Sequence, residues 1–171
     1  MHSISAVKLL AREAGALALS HFKALGSVPV ESKGHLDLVT AADQDVERFL
    51  TEGLVKIFPN DGIFGEEGAA HQGNSGRTWV IDPIDGTFNF VRGGDQWAIS
   101  IGLYESAQPI FGVIFVPLRE QLLVGGVGLQ STLNGELIAQ RSGLDTSRAS
   151  CGVGFHPIIP VDLRLETLRF V

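Results

Sequence analysis

Across residues 5–25 apolar side chains recur at Val7, Leu10, Ala14, Leu17, Ala18 and Phe22. This three-and-four spacing is that of one buried helix face, and Gly26 follows it as a stop signal. Residues 28–31 read as a short strand. Thr40-Ala41-Ala42-Asp43 has the form of a capping box and is expected to open a second helix, whose stripe is Val46, Phe49, Leu50, Leu54 and Ile57. Pro59-Asn60-Asp61-Gly62 closes that helix in a turn. Ile63-Phe64-Gly65 then leads into Glu66-Glu67, and Trp79-Val80-Ile81 reads as a buried strand running into Asp82. Two short apolar strands are thus each expected to end in acids.

Farther along, residues 97–104, 110–116 and 122–127 are strand-like runs separated by turn residues, which predicts an antiparallel meander. Asn134-Gly135 is a hairpin signal of the type whose two central residues both take positive φ. Residues 149–155 look like one more strand and 160–171 like the start of a helix. Helices, then strands, then a strand-helix unit predict an α+β protein built in layers. The expected division is an N-terminal α+β domain over 1–146 and the beginning of a C-terminal α/β domain over 147–171. Leu168-Arg169-Phe170-Val171 carries no helix stop, so the reading expects a fragment whose second half is incomplete.

Composition narrows the function. With 44% hydrophobic and 19% charged residues among 171, the chain has the apolar content to fold. Nineteen acids against 13 bases give a formal net charge of −6, which offers no broad basic field for nucleic acid or an anionic membrane. No apolar run approaches the roughly 20 residues of a membrane span. The single Cys, Cys151, cannot form an internal disulfide and points to a reducing compartment, so a cytoplasmic location is expected. The five histidines form no HExxH pattern and there is no Cys pair, which argues against zinc.

The chemistry concentrates in Trp79-Val80-Ile81-Asp82-Pro83-Ile84-Asp85-Gly86-Thr87. Here a buried strand delivers Asp82 and Asp85 around a turn whose φ is stiffened at Pro83. The two carboxylates, with the Ile84 carbonyl between them, suit a hard cation. Gly86 and Thr87 would offer backbone N–H groups to a phosphate. Taken alone, Asp-Pro-x-Asp-Gly is an ordinary turn formula, Glu66-Glu67 an ordinary solvated loop and Thr40-x-x-Asp43 an ordinary cap. Together they predict convergence. Two like charges 4 Å apart repel by ~4 kcal/mol at an effective dielectric constant of about 20, so either protons or divalent ions must neutralise the cluster. All-oxygen ligands favour Mg²⁺, Mn²⁺ or Ca²⁺, and magnesium is the expected cofactor.

Asp37-Leu38-Val39-Thr40-Ala41-Ala42-Asp43, Gly65-Glu66-Glu67 and the stretch from Trp79 to Phe90 together resemble the inositol monophosphatase family of metal-dependent, lithium-sensitive phosphomonoesterases. The resemblance runs from the first helix to about Phe155. It implies a layered αβαβα sandwich with metals at the junction of two halves. It also implies that Glu66, Asp82 and the Ile84 carbonyl hold an activating ion, and that Asp82 and Asp85 hold a second. Glu66 would reach a third, giving two or three Mg²⁺ per site. Asp43 and Thr87 would orient the attacking water, with Glu66, Thr87 and Asp43 as the catalytic set; Asp85, Gly86 and Thr87 would hold the phosphate. Residues 85–90 are closer to the inositol phosphatase pattern than to the histidinol phosphatase form, which tends to carry Arg where Phe88 stands. That leans the substrate toward a small phosphorylated polyol, with sugar phosphates as neighbours.

Family members continue into a later Trp-Asp motif that supplies another metal carboxylate. No Trp follows Trp97 here. Lys33 stands one residue closer to Asp37 than the family lysine, and the role of Glu67 is left open. Two readings follow: a Mg²⁺-dependent phosphomonoesterase, or a catalytically inactive relative that binds metal or phosphate or serves as a partner-binding or dimerising module. Family members are commonly dimers, which leaves a homodimer open.

Overall fold

The apolar stripe of residues 5–25 folds as one long helix, α1 (His2–Leu25). The second helix, α2 (Lys33–Ile57), begins well before the expected capping box. Thr40 lies inside it, which corrects the expectation of a cap. A Thr-x-x-Asp pattern caps a helix only where the preceding chain leaves helical geometry; residues 34–39 contain no proline, and the hydrogen-bonded ladder, once nucleated, extends through them. The computed structural model describes residues 2–25, 33–139 and 160–167, so the strands expected at 28–31 and 149–155 lie outside the described residues. No helix among the described residues is long and apolar enough to cross a membrane.

After α2 come β1 (Gly62–Gly65), β2 (Ala70–His71), β3 (Arg77–Asp85), the short helix α3 (Thr87–Val91), β4 (Ala98–Glu105), β5 (Gln108–Val116), a 3₁₀ turn (Pro117–Arg119), β6 (Gln121–Gly126), β7 (Leu129–Leu133), β8 (Glu136–Leu137) and α4 (Val161–Thr167). Among the described residues eight strands form one sheet in the order β2-β1-β3-β4-β5-β6-β7-β8. Strands β4, β5 and β6 form the expected antiparallel meander, which β3 on one side and β7 and β8 on the other extend, whereas β1 pairs parallel to β3. The chain divides into two compact units, Met1–Ile138 and Ala139–Val171. In the second, the described element is α4, with Asp162 in its first turn, where an acid suits the positive end of the helix dipole.

Within the first unit, Val7, Ala11, Ala14 and Ala18 of α1 and Val46, Leu50 and Leu54 of α2 are buried in one core. That core also takes in Ile63, Trp79, Ile81, Ile99, Ile101, Val113 and Phe115 from the sheet. Each large aliphatic side chain buried here stabilises the fold by about 1.5–3 kcal/mol. Trp79 and Trp97 are both buried in this core. On the opposite face of the sheet Val80, Tyr104 and Ile114 are exposed.

Asp61, which the sequence presents only as a turn residue, is 1% exposed. It accepts bonds from Trp79 Nε1 at 3.0 Å and Ser75 Oγ at 2.7 Å and pairs with Arg77 at 3.2 Å. This ties the turn before β1 to strand β3 and fixes how the two parallel strands are aligned.

The Asn134-Gly135 expectation holds: φ is 52° and 90°, both in the left-handed region. Asn134 also accepts the Leu122 N–H through Oδ1 at 2.8 Å. Asn134→Ala removes this bond and disfavours the left-handed backbone, so a loss of about 1–2 kcal/mol is expected. Thermal denaturation checks it, with a fall of roughly 2–8 °C.

Candidate functional site

Parallel pairing explains why two acidic segments meet. Gly65 at the end of β1 lies opposite Ile81 in β3, and the Glu66 N–H donates to the Ile81 carbonyl at 3.3 Å. Glu66 therefore leaves its strand beside Asp82. In β3 the register against β4 shifts: Asp82 faces Ser100 and Asp85 faces Ala98. In an unbroken strand, residues three apart point to opposite faces. The bulge inserts one extra residue, and Pro83, which has no N–H to give the ladder, lies inside it. The extra residue cancels the alternation, so Asp82 and Asp85 are offered toward the same side. Pro83 and Ile84 are buried, while Asp85 is exposed.

From the other side α2 supplies Asp43, 4% exposed, and Glu47, 5% exposed. Burial, followed by the charges of Glu67, Glu66 and Glu47, pushes the Asp43 carboxyl up to about 7. Burial also raises Asp82 to about 7, helped by a side-chain hydrogen bond with Glu66 and by the Glu66 and Asp85 charges. Glu67 is shifted upward by burial and by Glu47 and Glu66. Acids from α2, the end of β1 and the end of β3 thus act on one another. Asp82 Oδ1 is buried without a hydrogen-bond partner.

Among the described residues, no group of three or more His, Cys, Asp or Glu side chains already stands arranged to hold a metal ion. The donor set is nevertheless one of carboxylate oxygens and a backbone carbonyl, with one orphaned buried oxygen and protons held to near neutral pH. These features fit a hard divalent cation, which would take the place of those protons.

Gly86 has φ of 97°, and a Cβ there would fall 2.5 Å from the Gln96 carbonyl oxygen, so the turn into α3 requires glycine. The Thr87 hydroxyl donates to the Ile84 carbonyl at 3.0 Å. The expected Thr87–Asp43 pair is not among the hydrogen bonds of the described residues. Beside Asp85 and Gly86 a recess of about 470 Å³ is lined by Asn89, Asp95, Gln96 and Arg119. A larger, more apolar recess of about 660 Å³ lies against β4, β5 and β6 and has none of these acids in its lining.

Glu47 is the residue that sequence reasoning missed. Its carboxylate accepts the N–H groups of Glu67 and Ala69, each at 2.8 Å. The signal was present: positions 43, 47, 50 and 54 share helical spacing, so an acid at 47 falls on the buried face.

The raised carboxyls make stability depend on pH. In the unfolded chain Asp43 and Asp82 lose their protons near the ordinary value of 3.8, whereas the folded chain keeps them to about 7. Between those limits the folded state binds more protons, so stability falls as pH rises and levels off above about 7. In EDTA the melting temperature is expected to be several degrees lower at pH 8 than at pH 5.5, on the order of 1–2 kcal/mol after allowance for partial exposure. A melting temperature higher at pH 8 would contradict these shifts.

The model of the inositol monophosphatase family matches residues 2–163, and the chain belongs to that family. It is 37% identical over 147 residues to the Nus factor SuhB of Xylella fastidiosa, covering 86% of this chain and 53% of that protein. To the fructose-1,6-bisphosphatase/inositol-1-monophosphatase of Aquifex aeolicus it is 31% identical, covering 89% of this chain and 58% of that one. Inositol monophosphatase II from Staphylococcus aureus superposes with a TM-score of 0.67 at 31% identity, over 81% of this chain and 51% of that structure. The α+β fold is therefore of the inositol monophosphatase type, and the chain spans about half the length of the curated relatives it matches.

Proposed function

We propose that the chain carries the metal and phosphate half of a Mg²⁺-dependent phosphomonoesterase acting on inositol monophosphate or a related polyol or sugar phosphate. The observation that carries this reading is the convergence of Asp43, Glu66 and Asp82 from three elements, with Asp43 and Asp82 both pushed to about 7. Glu66, Asp82, the Ile84 carbonyl and Asp85 would hold the magnesium. When bound, magnesium supplies charge neutralisation for the phosphate and lowers the pKa of water. Gly86 and Thr87 present backbone N–H groups at the start of α3, and Asp85 adjoins them. Asp43 accepts a proton at its carboxylate, and Thr87 orients solvent through the oxygen that already donates to Ile84. The alcohol part of the substrate extends into the recess with Asn89, Gln96 and Arg119. Lithium inhibition and a cytoplasmic setting, consistent with the single cysteine, belong to the same reading.

A second reading is favoured by the likeness to the Nus factor SuhB of Xylella fastidiosa: a member that binds magnesium or phosphate without turnover and works through a partner or a second copy. Phosphate release from inositol 1-phosphate separates the two. Release that needs Mg²⁺ and stops with EDTA supports the enzyme; magnesium uptake without release supports the second reading.

A further inference from the structure

We propose that Glu47 is a positioning residue, whose buried carboxylate clamps the loop carrying Glu66 to helix α2 and so sets the spacing between the acids of α2 and those at the ends of β1 and β3. This rests on the metal-site reading above. Glu47 follows Asp43 by one helical turn on the same face of α2. Its two oxygens serve different donors: Oε2 accepts the Glu67 N–H and Oε1 the Ala69 N–H. On its other side Glu66 is held by its own N–H on the Ile81 carbonyl. Glu66 is therefore pinned between strand β3 and helix α2.

A carboxylate is needed because both oxygens must accept. Glutamine of the same shape would offer one oxygen and one NH₂, and the NH₂ would face an N–H donor. The charge works against its neighbours, since Glu47 helps to raise both Asp43 and Glu67. Its presence at a buried position is explained by the two backbone donors it satisfies. Gly65 completes the device: a Cβ there would lie 2.2 Å from Glu47 Oε2, so the last residue of β1 must be bare for the carboxylate to reach over it.

The test uses Glu47→Gln, Gly65→Ala and the double variant. Glu47→Gln removes one acceptor, and Gly65→Ala leaves Glu47 in the chain but pushes its carboxylate off the loop. In both single variants, hydrogen exchange at the Glu67 and Ala69 amides is expected to speed by about tenfold or more. The magnesium half-saturation measured by calorimetry is expected to rise about tenfold, while phosphate release at saturating magnesium is kept. The double variant is expected to be little worse than either single one, because both break the same contact. Unchanged magnesium affinity in both single variants, when the wild type binds magnesium, overturns the proposal whatever the amides do. Should the wild type take up no magnesium, the metal-site reading fails by itself. Amide exchange in metal-free buffer then decides the clamp: faster exchange in both variants supports it and unchanged exchange overturns it.

Discussion

Asp82→Asn is expected to abolish most magnesium uptake while leaving the metal-free chain more stable than the wild type at pH 8. The two effects share one cause. The Asp82 carboxyl is held at about 7 by burial and by the charges of Glu66 and Asp85, and one of its oxygens has no partner. Above that pH the metal-free chain carries an ionised group in surroundings that disfavour it. Asparagine has nearly the same shape and no charge, so the repulsion disappears and stability rises on the order of 1 kcal/mol. On the proposed reading the same change also removes an anionic ligand. Magnesium affinity should then fall by about 100-fold or more, beyond the 10–100-fold cost of losing a residue that only supports a ligand. Calorimetry and thermal melts in EDTA measure both quantities. Unchanged affinity, or a variant less stable than the wild type, would mean that Asp82 is an ordinary turn residue.

Asp85→Asn is expected to cut magnesium-dependent phosphate release by about 10²–10³-fold, with little effect on folding. Asp85 is exposed just past the bulge and next to Gly86, where on the proposed reading its carboxylate would share a cation with Asp82 and help place a phosphate. Exposed positions without buried partners tolerate substitution within about 0.5 kcal/mol. Loss of a group that stabilises developing charge typically costs two to three orders of magnitude in rate. Steady-state release from inositol 1-phosphate, at magnesium concentrations that saturate the variant, checks this. A rate within twofold of the wild type there would remove Asp85 from the machinery.

The two variants probe a site that was partly visible in the sequence. Trp79 and Ile81 alternate with Val80 as a half-buried strand should, and Asp82-Pro83-Ile84-Asp85 announced acids at its end. The bulge was not readable, because its place depends on which residues of β4 stand opposite, and Ser100 and Ala98 are chosen by long-range pairing. The capping-box expectation failed for a related reason. Thr40-x-x-Asp43 looks the same at a helix start and in a helix interior, and the preceding residues decide which it is. The pattern marks Asp43 for its chemistry but places it at a cap, whereas it lies on the buried face of α2. Glu47 looks solvent-facing from its neighbours Val46 and Arg48 alone, and only its helical spacing to Asp43, Leu50 and Leu54 marks it as buried. Asp61 reads as a turn residue because its partners Ser75, Arg77 and Trp79 are contributed by β3, two strands farther along, and the turn before it. Local pattern thus located the acids, and tertiary pairing decided which way they face.

Titration of the metal-free chain with MgCl₂ near pH 7, in two buffers of different ionisation enthalpy, tests the convergence of these acids most directly. The account predicts saturable uptake accompanied by release of protons, because magnesium displaces those held by Asp43 and Asp82. Absence of uptake at millimolar magnesium, or uptake with the same heat in both buffers, would contradict it.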